Sequence, residues 1–114
     1  MARRNAEGRN DVMPGTLDML ILKTISIQPM HGYGIVQHIQ LVSHEVLHVE
    51  EGTLYPALQR LQVKGYIESE WLTTPNNRRA RYYRLTVAGR KQLAIEESIF
   101  DEMVKAVTRV LRTV

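Results

Sequence analysis

Three groups of residues have the types and the spacing to do chemistry. His44, Glu45 and His48 spell HEVLH, the pattern in which two histidines one helical turn apart bind zinc while the glutamate between them activates water. From Asn76 to Lys91 stand six cations, Arg78, Arg79, Arg81, Arg84, Arg90 and Lys91, and no acid. Such a run makes a local positive field suited to phosphates. Between Gly52 and Gln62, Thr53, Tyr55, Pro56, Gln59 and Arg60 supply groups of the types that can contact a nucleic acid. A phenol at a helix N-terminus can donate to a phosphate that the free amides also attract. A glutamine amide can bind adenine through two hydrogen bonds, and Thr53 or Pro56 can touch a thymine methyl.

The zinc pattern carries the least weight. Glu51 stands where the extended protease signature has glycine, and no third histidine follows. Glu68 or Glu70 would have to serve as third ligand, and 114 residues leave no length for a peptide cleft on top of a scaffold. Zinc hydrolysis is therefore set aside. His44 and His48 keep two readings, a metal-sensing pair and a solvated turn, and neither a metal nor a cofactor is assigned. Cysteine is absent, which excludes disulfides, thiolate zinc sites and cysteine nucleophiles. No phosphate loop, Ser/His/Asp arrangement or dinucleotide fingerprint is visible. The chain reads as a non-enzyme.

The remaining candidates need elements to position them. Leu17, Leu20, Ile21 and Ile25 fall at helical spacing before Pro29, and a second helix begins near HGYG, with Tyr33, Ile35, Val36, Ile39 and Val42 as one stripe. A third helix is expected from Thr53, its hydroxyl capping free amides and Pro56 in the first turn. Leu54, Ala57, Leu58 and Leu61 form its buried face, and Gly65 ends it. Ile67, Ser69 and Trp71 then alternate with Glu68 and Glu70, the period of a half-exposed strand. A turn at Pro75, Asn76 and Asn77 leads to a return strand in which Arg81, Tyr83 and Leu85 alternate with Ala80, Tyr82 and Arg84. One tyrosine of the pair is thus core, and Trp71 is expected to pack at the base of the hairpin.

Thr86 reads as the cap of a long helix from Val87 to about Arg112, weakened only by Gly89. At ~1.5 Å per residue it would span roughly 39 Å. Leu93, Phe100 and Val107 recur every seven residues, with Met103, Val104, Val110 and Leu111 beside them. That stripe outruns the core of so small a domain, so its expected cover is the same helix of a second chain. The expected organisation is a polar arm over 1–13 carrying Arg3, Arg4 and Arg9, a winged helix-turn-helix over 14–86, and a dimerisation helix over 87–114. The fold class is mainly α (α+β). A net charge of +3 and a pI near 9.4 suit a nucleic-acid binder. The start lacks the apolar core of a signal peptide and no apolar run is long enough to span a bilayer, so a cytoplasmic protein is expected, with no membrane partner.

HGYGIVQHI, GTLYPALQRL, GYIESEW and NNRRARYYRLTVAGRKQL, in that order and spacing, resemble the PadR family of bacterial transcriptional regulators over roughly Met13 to the C-terminus. The single helix after the hairpin resembles the compact branch of that family. The resemblance implies a homodimer bound to an inverted-repeat operator in double-stranded DNA, most often as a repressor released by a small-molecule effector at the dimer interface. Well-known drug-sensing members carry a tryptophan on the dimerisation helix, whereas this helix offers Phe100. Thr53, Tyr55, Pro56, Gln59, Arg60, Arg78, Arg79 and Arg81 are the DNA-binding candidates. Leu93, Phe100, Met103, Val104, Val107 and Leu111 are candidates for dimer contact, among which Phe100, Met103 and Val107 either line an effector pocket or form plain dimer core. The rival reading is a winged-helix module that docks its basic hairpin on an acidic protein.

Overall fold

The computed structural model describes residues 14–114 and the short strand Asn10–Asp11. The rest of the expected arm, including Arg3, Arg4 and Arg9, lies outside the described residues. In chain order the elements are β1 (Asn10–Asp11), α1 (Pro14–Ile27), β2 (Met30–His31), α2 (Gly32–Val42), β3 (Leu47–His48), α3 (Glu51–Val63), β4 (Ile67–Thr73), β5 (Arg79–Leu85) and α4 (Val87–Leu111). β1 pairs in parallel with β3, so these two residues of the expected arm are strand. Backbone pairing of two-residue segments leaves no periodicity to read.

α1 is the central element. Leu17, Met19, Ile21, Leu22 and Ile25 are all buried, on more than one side of the helix, because α2, α3, α4 and β5 all pack against it. Thr24, also buried, satisfies its hydroxyl on the Leu20 carbonyl at 2.7 Å. On α2 Ile35 and Ile39 are buried in the core and Val36 packs against it, while Tyr33 and Val42 of the expected stripe stand in water, 58% and 61% exposed. A stripe written from spacing alone is wider than the strip of α2 that faces α1.

Helix ends follow local chemistry. His31 caps α2 by accepting from the Gly34 amide at 3.0 Å. α2 closes with the amides of His44 and Glu45 on the Leu41 and Gln40 carbonyls, the double bond pattern of a Schellman end. α3 closes in the same way, Gly65 on Gln62 and Tyr66 on Leu61, with Gly65 at φ +80° in the left-handed region that glycine adopts without strain. α3 begins earlier than expected. Its N-cap is Glu50, without a side-chain cap bond, and Thr53 sits inside the first turn. Pro56 therefore lies inside the helix, where its ring nitrogen leaves the carbonyl of exposed Gly52 without the usual donor. Acidic Glu51 in the first turn suits the positive helix end, a signal that Thr53 masked.

The sheet is three-stranded in the order β2, β5, β4. β4 and β5 form the hairpin, in register from Ile67 opposite Leu85 to Thr73 opposite Arg79. Its turn is held by Asn77, at φ 61°, donating to the Thr74 carbonyl at 2.9 Å. Tyr83 is the core tyrosine and Tyr82 the outer one. Thr86 caps α4 by accepting from the Gly89 amide at 3.0 Å. α4 leaves the domain after Leu93, and every residue from Glu97 onward is exposed. Mainly helical, with a small antiparallel sheet and one long terminal helix, the architecture is a winged helix-turn-helix.

Candidate nucleic-acid interface

α3 buries Leu54, Ala57, Leu58 and Leu61 and turns the opposite side to solvent. Thr53, Pro56, Gln59, Arg60 and Val63 are exposed there, at the three- and four-residue steps of one helical face. Tyr55 lies at the edge of that face, 47% exposed. Its ring rests over Gly32 at the start of α2, so closely that a Cβ on Gly32 would stand 2.8 Å from the phenol oxygen. A glycine thus seats the half-exposed tyrosine between two helices. Arg60 is not free-standing. Its guanidinium donates to Asp18 of α1 at 3.1 Å, so a phosphate contact by Arg60 has to share or replace that carboxylate.

The hairpin has two chemically different faces, because residues opposite each other in an antiparallel pair share a side and side chains alternate along each strand. The front continues outward from the core: Ile67 and Leu85, Ser69 and Tyr83, Trp71 and Arg81, Thr73 and Arg79. The back carries Glu68 and Glu70, and Arg84 is matched there by Glu70 at 3.4 Å and Glu68 at 4.0 Å. Of the hairpin cations, then, Arg84 is neutralised on the back, while Arg79 and Arg81 stand on the front. Arg78 follows the turn, its amide donating to the Thr74 hydroxyl at 3.2 Å. Trp71 is not a base residue. It is 55% exposed, and the guanidinium carbons of Arg79 and Arg81 lie 5.6 and 6.0 Å from its ring centre.

Front face and α3 meet in a groove of about 430 Å³ lined by Tyr55, Gln59, Gln62, Val63, Arg81 and Tyr83. An adjoining hollow of about 420 Å³ extends from Tyr55, Arg81 and Tyr83 to His31, Tyr33 and Trp71. Neither lining contains a carboxylate. Burial pushes the Tyr83 phenol above its ordinary value, Arg81 pulling the other way and Tyr55 adding to the rise. At neutral pH it is an uncharged hydroxyl beneath the arginine. The surface is therefore polar, aromatic and positive, lined by side chains that carry hydrogen-bond donors. That is the composition of a face that grips a phosphate backbone and reads base edges.

HEVLH does not take the helical zinc-protease arrangement. His44 and Glu45 occupy the left-handed end of α2, at φ 55° and 66°, whereas the zinc pattern needs both histidines on one helix face. Glu45 is tied to Gln40 Nε2 at 2.6 Å, and His48 lies beyond on β3. Among the described residues no group of three or more His, Cys, Asp or Glu could hold a metal.

The model of the transcriptional regulator PadR-like family matches residues 21–95, well over half of the chain. The chain belongs to the PadR family. It is 33% identical over 87 residues to the transcriptional regulator Rv3488 of Mycobacterium tuberculosis, covering 76% of this chain and 78% of that protein. A transcriptional regulator from Clostridium thermocellum superposes with a TM-score of 0.76 at 29% identity, over 83% of this chain and 89% of that one. A PadR family transcriptional regulator from Eggerthella lenta does so at 0.74 and 33% identity, over 88% and 85%. This PadR chain is a transcriptional regulator, not an enzyme. Among the described residues no helix is long and apolar enough to cross a membrane.

The structure brings together Tyr55, Gln59 and Arg81 around one groove, with Thr53 and Pro56 exposed on the same face of α3 and Arg79 near the Trp71 ring. It leaves Leu93 apart from the other α4 candidates, since Leu93 is 7% exposed within its own chain's core. The uncovered stripe begins instead at Ile95 and Ile99 and runs through Phe100, Met103, Val104, Val107, Val110 and Leu111. Sequence reasoning missed His31, Gln62 and Ser69. The parity of β4 and β5 could have placed Ser69 on the arginine face, while nothing local marks Gly32 as the seat of Tyr55.

Proposed function

We propose that this PadR protein is a homodimeric regulator that binds an inverted-repeat operator in double-stranded DNA. The observation that carries the reading is the carboxylate-free groove between the solvent face of α3 and the front of the wing. In the winged-helix docking mode α3 enters the major groove, so that Thr53, Pro56 and Gln59 reach base edges. Tyr55, Arg60, Arg78, Arg79 and Arg81 then meet backbone phosphates on either side. A second copy covers α4. An uncovered run of large apolar side chains of this length on one helix calls for a partner, and Phe100, Met103, Val104, Val107 and Leu111 lie along it. Two-fold symmetry presents identical reading heads to two half-sites, which makes the operator palindromic.

The regulatory form of this reading is repression by occupancy of the operator, relieved when a small apolar molecule binds at the α4 seam near Phe100, Met103 and Val107. The test is enrichment of sheared genomic DNA on the purified protein at physiological salt, followed by footprinting and by the mass of the free protein in solution. A discrete footprint with dyad symmetry and a mass of two chains are expected. No enrichment over random fragments overturns specific DNA binding and favours a protein-docking wing. A monomeric mass overturns the role given to α4.

A further inference from the structure

Trp71 is the chain's single tryptophan, and it stands half in water on the front of the wing. Its near neighbours are two guanidiniums. Arg81 lies directly across the hairpin from it and Arg79 two residues further along the same face, which brings both cations over the ring. At 5.6 and 6.0 Å from the ring centre both guanidiniums lie within the range of cation–π attraction, and such a contact to the ring consumes no N–H donor. Arg81 is held a second time, by its Nε donating to Ser69 Oγ at 2.8 Å. The Ser69 hydroxyl in turn donates to Gln62 Oε1 of α3 at 3.1 Å. Contacts therefore run unbroken from the reading helix to the wing tip: Gln62, Ser69, Arg81, Trp71, Arg79. The only carboxylates of the hairpin, Glu68 and Glu70, sit on its other face and hold Arg84. Arg79 and Arg81 form no ion pair among the described residues.

We infer that Trp71 is a positioning residue for DNA binding: with Ser69 and Gln62 it holds the guanidiniums of Arg79 and Arg81 at a set reach from α3, available to the phosphate backbone beside the groove that α3 enters. This rests on the DNA-binding reading above. Long cationic side chains that must be ordered on binding lose rotamer freedom at that moment, and each such loss weakens association. Side chains already laid on a ring have lost it beforehand. The wing then grips phosphates with its arginines in place, and the link through Ser69 keeps the spacing between wing and helix from drifting.

The experiment is a binding titration on a duplex that the wild-type protein recovers from genomic DNA, with W71A, W71F, the double variant R79A/R81A and the triple variant. W71A is expected to bind about five- to tenfold more weakly, the scale of re-ordering two long side chains, and W71F to retain most of the affinity. On the R79A/R81A background W71A should cost less than about twofold, because its effect passes through the arginines. In the free protein the tryptophan emission of R79A/R81A should differ from that of the wild type, a readout of the stack that needs no DNA. Wild-type affinity in W71A overturns the inference, as does an equal loss with and without the arginines. If R79A/R81A itself binds like the wild type, the failure lies in the DNA role of the wing and the inference falls with it; if emission is also unchanged, the stack itself is refuted.

Discussion

Gly89 gives the sharpest quantitative prediction. It lies buried in the first turn of α4, and by helix propensity alone Gly89→Ala should stabilise the protein by about 1 kcal/mol. The packing reverses the sign. A Cβ there would stand 2.0 Å from the Tyr66 carbonyl oxygen and 2.7 Å from Leu85 Cδ1, against roughly 3.3 Å for a relaxed carbon–oxygen contact. The first turn of α4 would have to retreat by more than about 1 Å. That same carbonyl accepts from the Thr86 amide at 3.0 Å, and the Thr86 hydroxyl donates to the Gly65 carbonyl at 2.7 Å, so retreat pulls on the cap as well. Overpacking at about 1–3 kcal/mol and one or two weakened hydrogen bonds at about 0.5–1.5 kcal/mol each outweigh the propensity gain. At the middle of these ranges the net is a loss of about 2–3 kcal/mol, or roughly 8–12 °C in Tm at ~4 °C per kcal/mol for a chain of this size. Circular dichroism melts at one fixed protein concentration would read it, fixed because a dimer's melting depends on concentration. Ala88→Gly, on an exposed neighbour, is the control and should cost only about 1 kcal/mol. A Tm for Gly89→Ala at or above that of the wild type would refute the argument.

Three further outcomes follow from the site and its supports. Arg79→Ala should weaken binding to every duplex and flatten the dependence of log K on log salt by about one phosphate contact, whereas Arg84→Ala, on the back of the wing with Glu68 and Glu70, should leave the slope near that of the wild type; equal slopes in all three proteins would sink the assignment of faces. Gly32→Ala should push the Tyr55 ring outward, leaving stability within about 1 kcal/mol of wild type because the ring is half exposed, yet reducing DNA affinity about three- to tenfold, the scale of one ordinary hydrogen bond at about 0.5–1.5 kcal/mol; unchanged binding in a filter or anisotropy assay would remove Tyr55 from the interface. Glu96 has a buried, unpartnered Oε2, and burial first, then nearby Asp18, raises its carboxyl above the ordinary 4.5, with Lys64 opposing. A carboxyl raised in the folded state binds its proton more tightly than in the unfolded chain. Its stabilising contribution is complete below about pH 4.5 and is lost as pH rises through the folded value. Glu96→Gln should accordingly raise Tm by about 1–3 °C at pH 7, with the gain shrinking toward pH 4, and a gain independent of pH would contradict the cause given.

What the sequence by itself determined is what local chemistry controls. The burial of Leu54, Ala57, Leu58 and Leu61 on α3, the end of that helix at Gly65, the cap at Thr86 and the choice of one core tyrosine all depend on neighbours within a turn or on strand alternation. So does the two-faced wing, whose parity was written in β4 and β5 before any fold was known. The start of α3 was misread because a threonine that can cap competes with acids that favour the same helix end. Tertiary structure alone decided everything that depends on how closely two distant segments approach. It set Gly89 against Tyr66 and Gly32 beneath Tyr55, contacts whose partners no spacing names. It paired Arg60 with Asp18, drew Leu93 into its own chain's core, and turned HEVLH into a left-handed helix end. It also moved Trp71 from an expected packing role to an exposed ring under two arginines. Spacing fixes which residues share a face, but the charge, depth and partners of that face belong to whatever the chain folds against it.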